Sequence, residues 1–227
     1  MNQHSQQLQI VIVSASQSPA SRSRLAAHHA KVALQTQPVA MDFIDLNEYA
    51  LPTYPHAEGE AALAELIRRF NTADGWVLAV PVYNWGASAV LTNFLHHALD
   101  DDQARRYRPF VILGGAGGLR SHLALDGLAR TMTYEISAVQ VGPPVLAAGD
   151  LADPKNGVLD QELQRRIERA MQALVVFARA GVARVQARVV SEILTKKTSM
   201  WQRVNLRRAT QTPQGGQDEL YTKCERD

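Results

Sequence analysis

Short apolar runs alternate with stretches of helical period along most of this chain. Leu8–Ser14 (LQIVIVS) is rich in β-branched residues and reads as a buried strand. Ser21–Gln35 then places Leu25, Val32 and Leu34 at helical spacing, with Ala filling the turns between them. Val39–Leu46 alternates as a second strand, and Glu58–Asn71 gathers Leu63, Leu66, Ile67 and Phe70 on one helical face. A third strand spans Gly75–Val82, followed by a helix over Ser88–Leu99 that Ser88 is placed to cap. The pattern repeats in a strand at Phe110–Gly114 and a helix at Ser121–Thr133. Ile136–Val145 supplies a fifth strand that runs out at Gly142-Pro143-Pro144, and Leu159–Arg179 supplies a closing helix.

Strands that alternate with helices are joined by crossovers and therefore run parallel. Helices on both faces explain why these strands read as continuous apolar runs. Five of them suit a doubly wound parallel sheet in the order 2-1-3-4-5. The pattern fades near residue 180, which predicts a domain over 1–180 and an extension over 181–227. Val182–Leu194 reads as one more helix, and the polar, Gly-containing end as loose chain.

Composition narrows the class. The net charge is +2, but residues 179–227 carry a balance of +5 and the preceding ones a balance of −3. The domain itself therefore has no basic field for nucleic acid or an anionic membrane surface. Cys224 is the single cysteine, so no disulfide framework exists within the chain. The N-terminus has no signal-peptide pattern and the apolar runs are too short to span a bilayer. A cytoplasmic protein is expected.

In such a sheet, ligands bind at the carboxyl ends of the strands near the switch point. The loop after the first strand, Ser14–Ser23, holds five serines and an arginine just before a helix: Ser14, Ser16, Ser18, Ser21 and Ser23, with Arg22. Hydroxyls, backbone N–H groups and a helix N-terminus make an anion site, and a monophosphate is a sensible guest. The bland alternative is a polar turn with one serine cap, but the hydroxyls outnumber what one cap needs. After the third strand come Pro81, Val82, Tyr83, Asn84 and Trp85, which suit a flat heteroaromatic ring. The alternative there is aromatic cover for the sheet. After the fourth strand, Gly114, Gly115, Gly117 and Gly118 let a ligand approach the backbone, a weak signal by itself.

Other chemistries lack their residues. His28-His29 and His96-His97 are adjacent pairs that diverge on a helix, and neither H-E-x-x-H nor C-x-x-C accompanies them, so no metal site is expected. No G-x-x-x-x-G-K-[ST] phosphate loop and no G-x-S-x-G nucleophile elbow occurs.

Together the three loops resemble the NAD(P)H-dependent FMN reductases of flavodoxin-like fold, over roughly Leu8 to Arg179. Members open with a G-S-x-R-x-x-S-x-[NS] loop, whose places are taken here by Ala15-Ser16-Gln17-Ser18 and Ser21-Arg22-Ser23. The P-x-Y-N segment stands intact as Pro81-Val82-Tyr83-Asn84, and Gly114–Gly118 match the Gly-rich loop. The resemblance implies FMN, with its phosphate on the serines and Arg22, and its ring between Pro81–Trp85 and the glycines. It also implies NADPH or NADH as co-substrate, a small-molecule electron acceptor such as a flavin or quinone, and a homodimer or homotetramer. A flavin-dependent monooxygenase is a further candidate partner.

The chain departs from the family where the usual Gly, Lys and Asp of the third helix have become Ala89, Thr92 and His96. The first loop has likewise lost its usual Gly and Arg, at Ala15 and Ser18, and Arg22 is the candidate to restore that charge. The changes at Ala89, Thr92 and His96, with the basic C-terminal extension, motivate a rival reading, a flavin-binding or flavin-less partner protein without reductase turnover.

Overall fold

A computed structural model describes residues 7–56, 61–99 and 107–181 of the chain, and these fall in one compact unit spanning Met1–Ala183. The expected helix at Val182–Leu194 and the loose C-terminal stretch lie outside the described residues.

The elements follow in the order β1 (Leu8–Ser14), α1 (Arg22–Gln35), β2 (Val39–Asp45), α2 (Ala61–Thr72), β3 (Gly75–Tyr83), β4 (Gly86–Ala87), α3 (Ala89–Ala98), β5 (Pro109–Ala116), α4 (Asp126–Ile136), β6 (Val139–Gln140), β7 (Val145–Ala148), β8 (Ala152–Asp153) and β9 (Val158–Leu159). A last helix, α5, occupies 161–181. The main sheet runs β2-β1-β3-β5-β6, with β4 pairing β3 and β7 pairing β5. Every pairing in it is parallel except β3 with β4. The fold is α/β and flavodoxin-like.

β1 alternates between two cores. Val11, Val13 and Ala15 face α2, α3 and α4 with Leu66, Phe70, Phe94 and Met132. Leu8, Ile10 and Ile12 face α1 and α5 with Ala27, Leu34, Ile167 and Leu174. Each fully buried Leu, Ile or Phe contributes roughly 1.5–3 kcal/mol, so the two cores hold the helices against both faces of the sheet. Trp76 stacks on Phe70 at 4.9 Å and gives its indole N–H to the Phe70 carbonyl at 2.9 Å.

Three expectations are corrected. Among the described residues the sheet has seven strands, not five. The fifth predicted strand, Ile136–Val145, divides because Ile136 still belongs to α4 and Gly142-Pro143-Pro144 breaks the ladder. Proline has no N–H to give a neighbouring strand, so β6 and β7 pair β5 separately. The helix predicted at Ser121–Thr133 begins as a 3-10 segment at Leu119–Leu125, and its α-helical part is Asp126–Ile136. Finally, Ser88 precedes α3 without a side-chain capping bond, because its hydroxyl is committed elsewhere.

Candidate functional site

The carboxyl ends of β1, β3, β5 and β7 lie side by side and carry the loops that the sequence singles out. β1 is extended past Ser14 by the Ala15 N–H, which bonds the Ala79 carbonyl at 2.9 Å. The chain then turns into α1, whose N-cap is Ser21: its Oγ accepts the Arg24 N–H at 3.1 Å. The first N–H groups of any helix lack intrahelical partners, and they face this loop. Ser16 is buried and its Oγ accepts the Ser18 N–H at 3.3 Å, which leaves the hydroxyl proton for another acceptor. Ser21 and Ser23 are both buried, with their oxygens 3.0 Å apart. Ser23 thus meets the loop through Ser21.

Arg22 points outward from this group. Its Nε donates to the Ala152 carbonyl at 3.2 Å, and it lines a hollow of about 400 Å³ with Gly149, Asp150, Asp153 and Lys155. Arg24, which the sequence reading passed over, folds back instead. Its guanidinium donates to the Ser18 carbonyl at 2.7 Å and to the Ser16 carbonyl, and its Nε lies 3.0 Å from Asp45 Oδ2. The Nε contact is an ion pair, and the hydrogen bond between the two side chains runs from Nη2 to Asp45 Oδ1 at 3.3 Å. The spacing of Arg24 from the capping Ser21, one helical turn, was the available signal.

β3 runs one residue further than predicted, through Tyr83, and Pro81 and Val82 are strand residues, as in the predicted span, paired with β5 or β4. Asn84 and Trp85 form a two-residue hairpin turn with φ of 47° and 62°. Positive φ at both central positions marks the turn type that matches the strands' twist. Asn tolerates this conformation, whereas Trp does so at a cost. The turn holds Tyr83 and Trp85 in the open, at 52% and 65% exposure. Trp85 also borders a groove of about 460 Å³ between α3 and α4, with Thr92, His96 and Arg130 along it.

β5 extends past Gly114 through Ala116, and both glycines lie in close packing. A Cβ on Gly114 would stand 2.7 Å from the Cδ1 ends of Leu125 and Leu146, side chains that can turn aside. On Gly115 it would stand 2.5 Å from the Ser23 nitrogen, so this glycine lets α1 sit down on the sheet. Gly117 and Gly118 are exposed and open, with nothing within 4 Å of a Cβ on either.

The NADPH-dependent FMN reductase family model matches residues 8–153, more than half of the chain and every loop just described. The chain belongs to this family. It is an NAD(P)H-dependent FMN reductase, a flavoprotein oxidoreductase with FMN as cofactor and NAD(P)H as electron donor. Solved structures agree on the fold. An oxidoreductase from Corynebacterium diphtheriae is 25% identical, superposes with a TM-score of 0.61, and is matched over 77% of this chain and 98% of its own. An NADH:FMN oxidoreductase in its apo form is 20% identical with a TM-score of 0.62, over 76% of this chain and 89% of that one. An NAD(P)H:quinone oxidoreductase from Methanothermobacter marburgensis is 17% identical at 0.56, over 74% and 97%.

The residues of this reductase fit FMN. The first loop offers hydroxyls and a helix N-terminus, and the carboxylate of Asp45 beside it is held by Arg24. The hairpin beside it exposes the aromatic and amide groups that a flavin ring needs. Among the described residues no helix is long and apolar enough to cross a membrane, and no cluster of three His, Cys, Asp or Glu side chains could hold a metal.

Proposed function

We propose that FMN lies along the carboxyl edge of the sheet, with its phosphate in the Ala15–Ser23 loop. Its ring lies between the Tyr83–Trp85 hairpin and Gly117–Gly118. One observation supports this above the others: the N-terminus of α1, the Ser16 and Ser21 residues of its loop and the exposed hairpin lie together at the carboxyl edge of the sheet.

In this reading Ser16, Ser18 and Ser21 meet the phosphate with the first N–H groups of α1. Ser23 orients Ser21, and Arg22 adds positive charge from the rim. Pro81 and Val82 fix the strand that carries the hairpin, while Tyr83, Asn84 and Trp85 contact the ring. Gly114 and Gly115 admit their packing neighbours, and Gly117 and Gly118 let the ring approach the backbone. When bound, FMN would supply the redox chemistry of hydride and electron transfer. The protein binds and orients it, and no side-chain acid or base is required.

The acceptor is a small flat molecule such as free flavin or a quinone, taken at the open face of the ring. A flavin-dependent monooxygenase is the protein partner such a reductase would serve. We place it in the cytoplasm as a homo-oligomer, with the domain complete near residue 180 and the basic extension outside it.

Anaerobic titration of purified protein with FMN, then NADPH or NADH, tests the reading. Flavin should bind, and its oxidised absorbance should bleach with one or both nucleotides. Replacing Ser21 by Asp sets a like charge against the phosphate and removes a hydrogen bond to a charged group, worth roughly 1.5–3 kcal/mol. FMN should weaken at least about tenfold while riboflavin changes far less. Equal losses for both flavins would show general damage to the loop, and unchanged FMN affinity would move the phosphate elsewhere.

A further inference from the structure

Arg24 spans the first loop from beneath. Its backbone N–H bonds Ser21 Oγ at 3.1 Å, while its side chain takes the carbonyls of Ser16 and Ser18. On the far side Asp45, at the end of β2, meets its Nε at 3.0 Å and its Nη2 at 3.3 Å. Both side chains are largely buried, at 16% and 15% exposure. The same carboxylate accepts the Asn47 N–H at 3.1 Å, which fixes its own position.

Peptide planarity gives this clamp a consequence. In a trans peptide the C=O and the following N–H point in opposite directions. Drawing the Ser16 carbonyl down to Arg24 therefore turns the Gln17 N–H away from Arg24. The Ser18 carbonyl precedes Pro19, which has no N–H, so the second attachment sacrifices no donor. Charge alone does not explain the arrangement. Asp45 stands against the guanidinium and cancels most of its field at any anion further off.

We propose that Arg24, held by Asp45, is a positioning residue that shapes the first loop for a phosphate dianion. It thereby makes the site select FMN over riboflavin. This rests on the phosphate placement given under Proposed function. The requirement is for a planar fork that joins two carbonyls and a carboxylate at once, which a lysine ammonium cannot match.

The test measures FMN and riboflavin affinity, by quenching of flavin fluorescence, for wild type, R24Q, R24K and D45N. In R24Q and R24K, FMN should weaken at least about tenfold and riboflavin by less than about threefold. D45N keeps Arg24 and its charge but loosens the clamp, so its preference for FMN should also fall. If R24Q does not fold, D45N and R24K carry the test. A D45N protein that binds FMN more tightly, with R24K at the wild-type ratio, would show that charge and not shape matters, and would overturn the proposal. Equal losses of both flavins, or a wild-type ratio in all three variants, would also overturn it. Wild type with no preference for FMN would instead overturn the phosphate placement itself.

Discussion

The Ser88 hydroxyl, at the start of α3, donates a 2.9 Å hydrogen bond to the carbonyl of Ala15, where the first loop leaves β1. Both residues are buried, at 4% and 1% exposure. The bond joins residues 73 apart in sequence and fixes the distance between the two loops that border the candidate site.

Ser88→Ala should therefore act on both stability and site. It strands a buried carbonyl oxygen, which costs roughly 1–3 kcal/mol. Urea unfolding should show that loss, and FMN affinity should fall with it. A variant as stable as wild type would mean that Ala15 finds another donor when Ser88 is removed.

The hairpin tip separates strain from function. Trp85 has φ of 62°, a conformation that costs a residue with a Cβ roughly 1–2 kcal/mol. Trp85→Gly releases that strain and creates Asn-Gly, the preferred pair for this turn. We expect thermal stability to rise by about 1 kcal/mol while flavin affinity falls, because an aromatic surface at the site is lost. A drop in stability would show that the exposed indole packs more firmly than its 65% exposure indicates.

The fold was legible because buried parallel strands such as Leu8–Ser14 are unbroken apolar runs, and because Leu66 and Phe70 mark one face of α2. What escaped were features set by distant packing. Gly115 sits in a run of glycines that reads as a flexible loop, yet the Ser23 backbone determines its size. Arg22 and Arg24 look equivalent in sequence. The helix start at Arg22 directs the first toward Ala152 and the second back into the loop. The split of the last strand into β6 and β7 follows from prolines that are visible in the sequence, where nothing distinguishes the end of a strand from an interruption.

The glycines yield a matched pair of variants. Gly115→Ala would set its Cβ against the backbone of α1, and relief means lifting that helix from the sheet. Overpacking of this kind costs typically about 1–3 kcal/mol. Gly117→Ala meets nothing within 4 Å and should fold as wild type, while altering flavin affinity if the ring lies there. Equal melting temperatures for the two variants would contradict this reading of Gly115.

Acid sensitivity should come from the other edge of the molecule. Arg69 of α2 grips Asp42 of β2 with two hydrogen bonds, Nε to Oδ2 at 2.7 Å and Nη2 to Oδ1 at 2.6 Å. Arg69 hydrogen bonding holds the Asp42 carboxyl below its ordinary range, against a smaller opposing effect of burial. A depressed folded-state value means that the unfolded chain takes up the proton first as pH falls. The stability from this pair is therefore complete above the unfolded Asp value of about 4 and is lost as pH drops through the lower folded value. Asp42→Asn should destabilise the protein by roughly 1 kcal/mol at neutral pH, in keeping with a partly exposed pair. The gap between variant and wild type should then narrow below about pH 4. Urea midpoints at neutral and acid pH measure it, and a gap that stays constant on acidification would mean that Asp42 contributes packing and not charge. FMN affinity at neutral pH should be the same in both proteins, because Asp42 and Arg69 border a separate hollow lined by Gln9, Thr72 and Asp74.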